Sequence, residues 1–169
     1  LQQLINDTQW KDLDYLIIDL PPGTGDIQLT MAQKIPVTAA VVVTTPQDIA
    51  LADARKAVTM FNKVSVPVLG VVENMAMHTC SNCGHEEHIF GQGGGDALAK
   101  EIGVELLGSL PLSLNIREQT DAGEPTVVKE PESDVTKRYV DIAQRMAAKL
   151  SLEAKDFKAS FPSISIENT

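Results

Sequence analysis

The chain has 169 residues, which suits one domain, and 43% of them are hydrophobic, which is enough to form a core. Its net charge of −9 disfavours binding to a polyanion such as DNA or RNA, and no apolar run approaches the roughly 20 residues of a membrane span. Together with the lack of a signal-peptide pattern, these properties predict a cytoplasmic protein that binds neither nucleic acid nor a membrane.

Strands are predicted wherever a short apolar run is bounded by turn residues. The first run, at residues 15–20, contains Asp19 close to its end and is typical of a strand buried on both faces. Further strands are predicted at residues 39–45, 67–74 and 105–110.

Helices are predicted between these strands from apolar residues at helical spacing. Their ranges are 27–34, 48–64, 96–102, 115–122 and 133–150. In the helix at 48–64 the inward residues are predicted to be Ile49, Ala52, Ala57, Met60 and Phe61. The alternation of strand and helix predicts an α/β domain with a parallel sheet over residues 1–150, and a loosely docked tail over residues 151–169.

Polar or turn-forming residues stand at the carboxyl ends of three predicted strands. These residues are Asp19, Asn74 and Pro111. Parallel sheets bind ligands at this edge, so we expect the loops that follow these residues to meet along one rim.

Asp19 has the position of a Walker B carboxylate, which holds Mg²⁺ beside the phosphates of a nucleotide. It is followed by the loop Pro-Pro-Gly-Thr-Gly-Asp, in which Gly23 and Gly25 allow the backbone to approach a ligand closely. The alternative is that Asp19 closes a turn and Asp26 caps the next helix. No Gly-Lys pair occurs in the chain, so the usual P-loop pattern is absent.

A glycine-rich segment at residues 91–95 precedes the helix predicted at 96–102. Its backbone N–H groups could bind an anion, but it has no following lysine and does not directly follow a strand. We therefore predict a flexible hinge, with Asp96 as the N-cap of the helix.

Cys80 and Cys83 are the only cysteines, and a thiolate-ligated metal site usually needs four ligands. One interpretation is a [4Fe–4S] cluster that two subunits share across a two-fold axis. A second is zinc, bound between two copies or with help from His78, His85 or His88. A redox-active dithiol and two unliganded surface thiols are weaker alternatives, since the segment after Cys83 does not resemble the start of a helix.

Five motifs follow one another along residues 1–150: Asp19-Leu-Pro-Pro-Gly-Thr-Gly-Asp26, Thr44-Thr45-Pro46-Gln47, Glu73-Asn74-Met75, Cys80-Ser-Asn-Cys83-Gly84 and Phe90-Gly-Gln-Gly-Gly-Gly95. Together they resemble the Mrp/ApbC family of iron–sulfur carrier ATPases, a branch of the MinD/ParA-type deviant P-loop NTPases. The resemblance implies a parallel-sheet P-loop NTPase fold of the SIMIBI type.

The resemblance implies a nucleotide site at the strand ends. Asp19 matches the Walker B aspartate, which acts on Mg²⁺ through water, and Gly23 and Gly25 belong to the switch loop that responds to the γ-phosphate. Asn74 and Pro111 match the two walls of the adenine pocket.

The resemblance also implies that Cys80 and Cys83 bind a [4Fe–4S] cluster that bridges a homodimer. The function it implies is ATP-dependent transfer of this cluster to apo iron–sulfur proteins, with cluster assembly scaffolds as further partners. A zinc-bridged, non-enzymatic scaffold is the alternative. A ParA-like partition ATPase is disfavoured, because it has no need for the cysteines and fits the acidic charge poorly.

Full-length members of the family carry the deviant P-loop, with its lysines, in an N-terminal half that this sequence lacks. We therefore expect the chain to be the C-terminal portion of such a protein, without the P-loop. The parent resembles an enzyme that hydrolyses ATP with Mg²⁺, whereas this chain alone is expected not to hydrolyse it.

Overall fold

The computed structural model describes residues 7–20, 35, 37–80 and 82–153. Within these ranges the strands are β1 (Ala40–Thr44), β2 (Val68–Glu73), β3 (His78–Thr79), β4 (Glu86–Glu87) and β5 (Glu105–Ser109). The helices are α1 (Asp48–Lys63), α2 (Gly94–Ile102), α3 (Leu114–Asp121), α4 (Thr126–Lys129) and α5 (Asp134–Glu153).

The main sheet has three strands in the order β1-β2-β5, and both pairs are parallel. Helix α1 connects β1 to β2, and α2 precedes β5, so each connection between parallel strands contains a helix, as such connections require. The prediction of an α/β fold with a parallel sheet is confirmed. Strands β3 and β4 form a separate antiparallel hairpin between β2 and α2.

Helices cover both faces of the sheet, and the alternation of side chains along β2 explains how. Val71 is fully buried and packs in a cluster with residues of α1 and α2, including Leu51 and Leu98. Its neighbour Val72 belongs to another cluster, with Ile142 of α5. Successive residues of a strand point to opposite faces, so one apolar strand anchors both helical layers.

The inward face of α1 differs in part from the prediction. The buried residues of α1 are Leu51, Ala54, Val58, Met60 and Phe61. The prediction is right for Met60 and Phe61 but wrong for Ala52, which is exposed, and for Ile49, which is 78% exposed. The spacing 51-54-58-61 keeps one helical face on the sheet, whereas Ile49 lies on the opposite side.

The strand predicted at residues 15–20 is not formed. These residues lie outside every strand among the described residues, and Ile17 is 82% exposed. Only Leu20 packs against a core cluster, the one that contains Ala40 and Phe61. An apolar run becomes a strand only when a neighbouring strand pairs with its backbone, and no described strand pairs with this run.

Other boundaries shift by a few residues. Helix α2 starts at Gly94 rather than at 96, α5 reaches Glu153, and the short helix α4 was not expected. The helix predicted at 27–34 and residues 154–169 of the predicted tail lie outside the described residues. No helix in the described part of the chain has the length and apolar character needed to cross a lipid bilayer.

Gly108 in β5 allows α5 to pack directly on the sheet. A Cβ atom at this position would lie 2.5 Å from Cγ1 of Ile142. We expect Gly108→Ala to lower the free energy of unfolding by about 1–2 kcal/mol, because the added methyl group overpacks this contact. Urea denaturation measures the change. In the double variant with Ile142→Ala the cost of the methyl group should shrink, and strictly additive effects would contradict the overpacking.

Candidate functional site

The carboxyl ends of the parallel strands lie along one edge of the sheet. Asn74, directly after β2, donates its backbone N–H to the carbonyl oxygen of Thr44 at 2.7 Å. Leu110, just after β5, donates to the carbonyl oxygen of Glu73 at 2.9 Å. The structure thus places Asn74 and Pro111 beyond the ends of neighbouring strands, in segments joined by hydrogen bonds.

Of the other nucleotide-site residues predicted from the sequence, only Asp19 lies among the described residues. Asp19 is exposed and does not end a strand, which corrects the strand placement from which its Walker B role was inferred. Gly23 and Gly25 lie outside the described residues. The roles of all three residues stay predictions.

Asn74 lies in a tight turn that fixes its side chain. Its Oδ1 atom accepts a hydrogen bond from the backbone N–H of Met75 at 2.9 Å, and Met75 has a φ of 57°, in the left-handed region. A carboxamide also carries two N–H donors. With Oδ1 used inside the turn, these donors give Asn74 the means to bind an acceptor on a ligand.

A hairpin that carries both cysteines, called here the cysteine hairpin (residues 78–87), follows this turn. At its tip the backbone N–H of Cys80 donates to the carbonyl oxygen of His85, and the N–H of Gly84 donates to that of Cys80, both at 2.9 Å. Gly84 has a φ of 72°, which favours glycine. The Cys-x-x-Cys-Gly spacing thus forms a closed loop, with both thiols free.

The two cysteines differ in their surroundings. Cys80 is half-buried, whereas Cys83 is exposed. Hydrogen bonds from the backbone N–H groups of Cys83 and then Asn82 lower the pKa of the Cys80 thiol, with a smaller contribution from the Cys83 side chain. Desolvation, and then the nearby charge of Glu87, oppose this effect. The loop therefore stabilises the thiolate form, which is the form that binds metals.

The lowered pKa predicts that Cys80 becomes reactive at a lower pH in the folded protein than in the unfolded chain. A larger fraction of the folded Cys80 is thiolate at neutral pH, so its alkylation by iodoacetamide should become fast at a lower pH than in urea-unfolded protein. Mass spectrometry of the labelled Cys80 peptide over a pH series measures the midpoint in both states. Cys83→Ser keeps the backbone N–H of residue 83, so the early reaction of Cys80 should persist in it. Equal midpoints for folded and unfolded Cys80 would contradict the prediction.

The donor set fits a metal centre that is shared rather than complete in itself. Among the described residues, no group of three or more His, Cys, Asp or Glu side chains could hold a metal ion. Two accessible thiols in one loop supply half of a four-thiolate shell. A second copy of the loop would supply the other half.

Glu73, the last residue of β2, was not recognised from the sequence as a structural centre of this edge. It is 4% exposed, and its Oε1 atom accepts a hydrogen bond from the backbone N–H of Gly95 at 2.7 Å. Its Oε2 atom accepts a longer bond, 3.5 Å, from the hydroxyl of Ser109. Glu73 therefore joins β2, β5 and the first turn of α2.

The glycine-rich segment owes its composition to close packing. A Cβ atom on Gly94 would lie 2.7 Å from the carbonyl oxygen of Pro46, and one on Gly95 would lie 2.8 Å from Cβ of Glu73. The prediction of Asp96 as the N-cap is wrong. Gly93 occupies that position, while Glu73 binds one of the free N–H groups of the helix from outside.

A cavity of about 250 Å³ lies beside the base of the hairpin. Its lining includes Glu73, Met77, His88 and Arg138. Asn74 and Pro111, which are predicted to contact adenine, are not among the residues that line it.

A sequence profile of the ParA family, described as NUBPL iron-transfer P-loop NTPase, matches residues 1–147. The chain belongs to this family. Solved structures agree with this assignment. A nucleotide-binding protein from Archaeoglobus fulgidus, in complex with ADP, is 42% identical with a TM-score of 0.62, over 73% of this chain and 50% of that one. The Pyrococcus furiosus cell division ATPase MinD is 28% identical with a TM-score of 0.52, over 66% of this chain and 43% of that one.

Curated proteins named for iron–sulfur cluster transfer are also similar to this chain in sequence. The chain is 64% identical over 143 residues to the iron-sulfur cluster carrier protein of Pseudomonas fragi, which covers 85% of this chain and 50% of the relative. It is 49% identical over 150 residues to the mouse iron-sulfur cluster transfer protein NUBPL, an alignment that covers 89% of this chain and 47% of the relative. The chain thus spans about half the length of these relatives.

Proposed function

We propose that this chain is the cluster-binding part of an ATP-dependent iron–sulfur carrier. The observation that carries the proposal is the cysteine loop: two free, accessible thiols, one of them with a lowered pKa, and no third metal ligand beside them in the described residues. The relatives named as iron–sulfur cluster carriers support the same function.

In this proposal Cys80 and Cys83 of two copies hold one [4Fe–4S] cluster as cargo, which makes the working form a homodimer. Delivery to an apo-protein is an exchange of ligands. Thiolates of the acceptor form bonds to iron as those of Cys80 and Cys83 break, and no electron needs to move. Exposure of Cys83 gives an acceptor access to this loop.

The nucleotide site is the second part of the proposal. Asn74 and Pro111 would contact the adenine base, with the side-chain N–H groups of Asn74 as donors. Asp19 would act near Mg²⁺, and Gly23 and Gly25 would respond to the γ-phosphate. The sequence contains no Gly-Lys pair, so we assign hydrolysis of ATP to the longer protein rather than to this chain.

Anaerobic reconstitution of the purified chain with iron and sulfide tests the cargo. We expect a broad visible absorption, four iron and four sulfide ions per two chains, and a shift to a dimer on gel filtration. Transfer is then followed as loss of absorption from the chain and gain of activity in an apo iron–sulfur enzyme. A colourless dimer that binds zinc instead would contradict the proposal.

A further inference from the structure

The base of the cysteine hairpin is joined to the segment that follows β5. The N–H of Ala76 donates to the carbonyl oxygen of Leu110 at 2.9 Å, and the N–H of Leu112 donates to that of Met77 at 2.7 Å. His78 then pairs with Leu112 in a parallel bridge. Pro111, between the two leucines, therefore lies on a segment that is hydrogen-bonded on both sides to residues 76–78, which lead into the hairpin.

The side chain of His78 adds one hydrogen bond to these backbone contacts between residues 76–78 and 110–112. Its Nδ1 atom lies 3.1 Å from the carbonyl oxygen of Leu112. A carbonyl oxygen can only accept, so Nδ1 carries the hydrogen and donates it.

The hairpin depends on such external bonds for its orientation. Each of its strands has only two residues, and short two-stranded hairpins are marginally stable by themselves. His78 begins the first strand, two residues before Cys80. A movement of Leu112 is therefore passed to the cysteine loop over a very short distance.

We propose that His78 is a positioning residue that couples the Leu110–Leu112 segment to the cysteine hairpin. Resting on the function proposed above, this coupling is the path by which a nucleotide at Pro111 changes how Cys80 and Cys83 hold the cluster. His78 acts through the position of the loop and does not itself bind the cluster.

Three substitutions of His78 distinguish the effect of its Nδ1–H donor from the effect of its side-chain size. In His78→Asn the side-chain amide nitrogen can take the place of Nδ1, so the bond to Leu112 is retained. His78→Gln places its amide further from the backbone, and His78→Leu has no donor. His85→Leu is the matched control, because His85 lies in the same hairpin and is exposed. Among the described residues its side chain makes only a long contact, 3.9 Å, with Glu87, and the substitution keeps its backbone bond to Cys80.

Hydrogen–deuterium exchange of residues 76–88 in the full-length gene product, without a cluster, is the first measurement. ADP should slow exchange in the wild type, in His78→Asn and in His85→Leu. In His78→Leu and His78→Gln we expect this protection to fall roughly fivefold, the size of one typical hydrogen bond. Unchanged protection in His78→Leu, or no response of the wild-type hairpin to ADP, would overturn the coupling.

The second measurement is the ratio of cluster transfer rates with and without ATP. This ratio should approach one in His78→Leu and stay near the wild-type value in His78→Asn. The two proposals can fail separately. A wild-type protein that never holds a cluster refutes the carrier function, while the exchange measurement still decides whether His78 couples the two segments.

Discussion

Replacing Cys80 with serine is expected to abolish the visible absorption that reconstitution with iron and sulfide produces. The loss should be nearly complete, because no group of three or more ligand-type side chains among the described residues is arranged to hold a metal in its place. Serine keeps the size and the backbone of the loop but cannot supply the thiolate. Absorption spectra and iron content after desalting measure the effect.

The dimer should disappear with the cluster. If the cluster joins two chains, then Cys80→Ser stays monomeric on gel filtration after reconstitution, and Cys83→Ser behaves in the same way. His85→Ala, in the same loop, removes a side chain that is not needed in this site and should load normally. Retention of a full chromophore in Cys80→Ser would show that the ligands lie elsewhere.

Replacing Glu73 with alanine is expected to lower the free energy of unfolding by about 1–3 kcal/mol, since a buried donor left without its acceptor costs about that much. The substitution leaves the buried N–H of Gly95 without an acceptor and removes the link from β2 to Ser109. Thermal unfolding and urea titration measure the loss.

Two further variants show whether the acceptor is responsible. Glu73→Gln keeps an oxygen that can accept from Gly95, so it should be clearly more stable than Glu73→Ala. Glu101→Ala is the matched control, because Glu101 is exposed and its ion pair with Arg55 lies on the surface, where removal has little effect. Equal losses in Glu73→Ala and Glu101→Ala would contradict the role given to Glu73.

Local patterns predicted most of the fold. The apolar runs at 39–45, 67–74 and 105–110 became β1, β2 and β5, because each run has a neighbour with which to pair. The run at 15–20 has the same composition, yet it is not a strand in the structure. Composition records how apolar a segment is, but it does not record whether a partner strand is present.

In the candidate site too, local sequence patterns predicted some residues, whereas contacts between distant residues were not predictable. Cys80 and Cys83 were singled out from the sequence because of their spacing, and Asn74 because it follows a strand; their roles stay predictions. Glu73 was missed as a contact, although an acidic residue directly after Val71 and Val72 is unusual in an apolar strand. Its partner Gly95 is 22 residues away, and no local pattern links the two.

The bond between Glu73 and Gly95 has a consequence for the orientation of a nucleotide in the proposed site. The start of a helix is a natural place for a phosphate, but here an acidic side chain of the same chain already accepts a hydrogen bond from it. A phosphate brought to α2 would meet electron-rich oxygen atoms of Glu73 as well as N–H groups. If the proposed site is correct, we expect the uncharged base to lie at this end of the sheet and the triphosphate to point away from it.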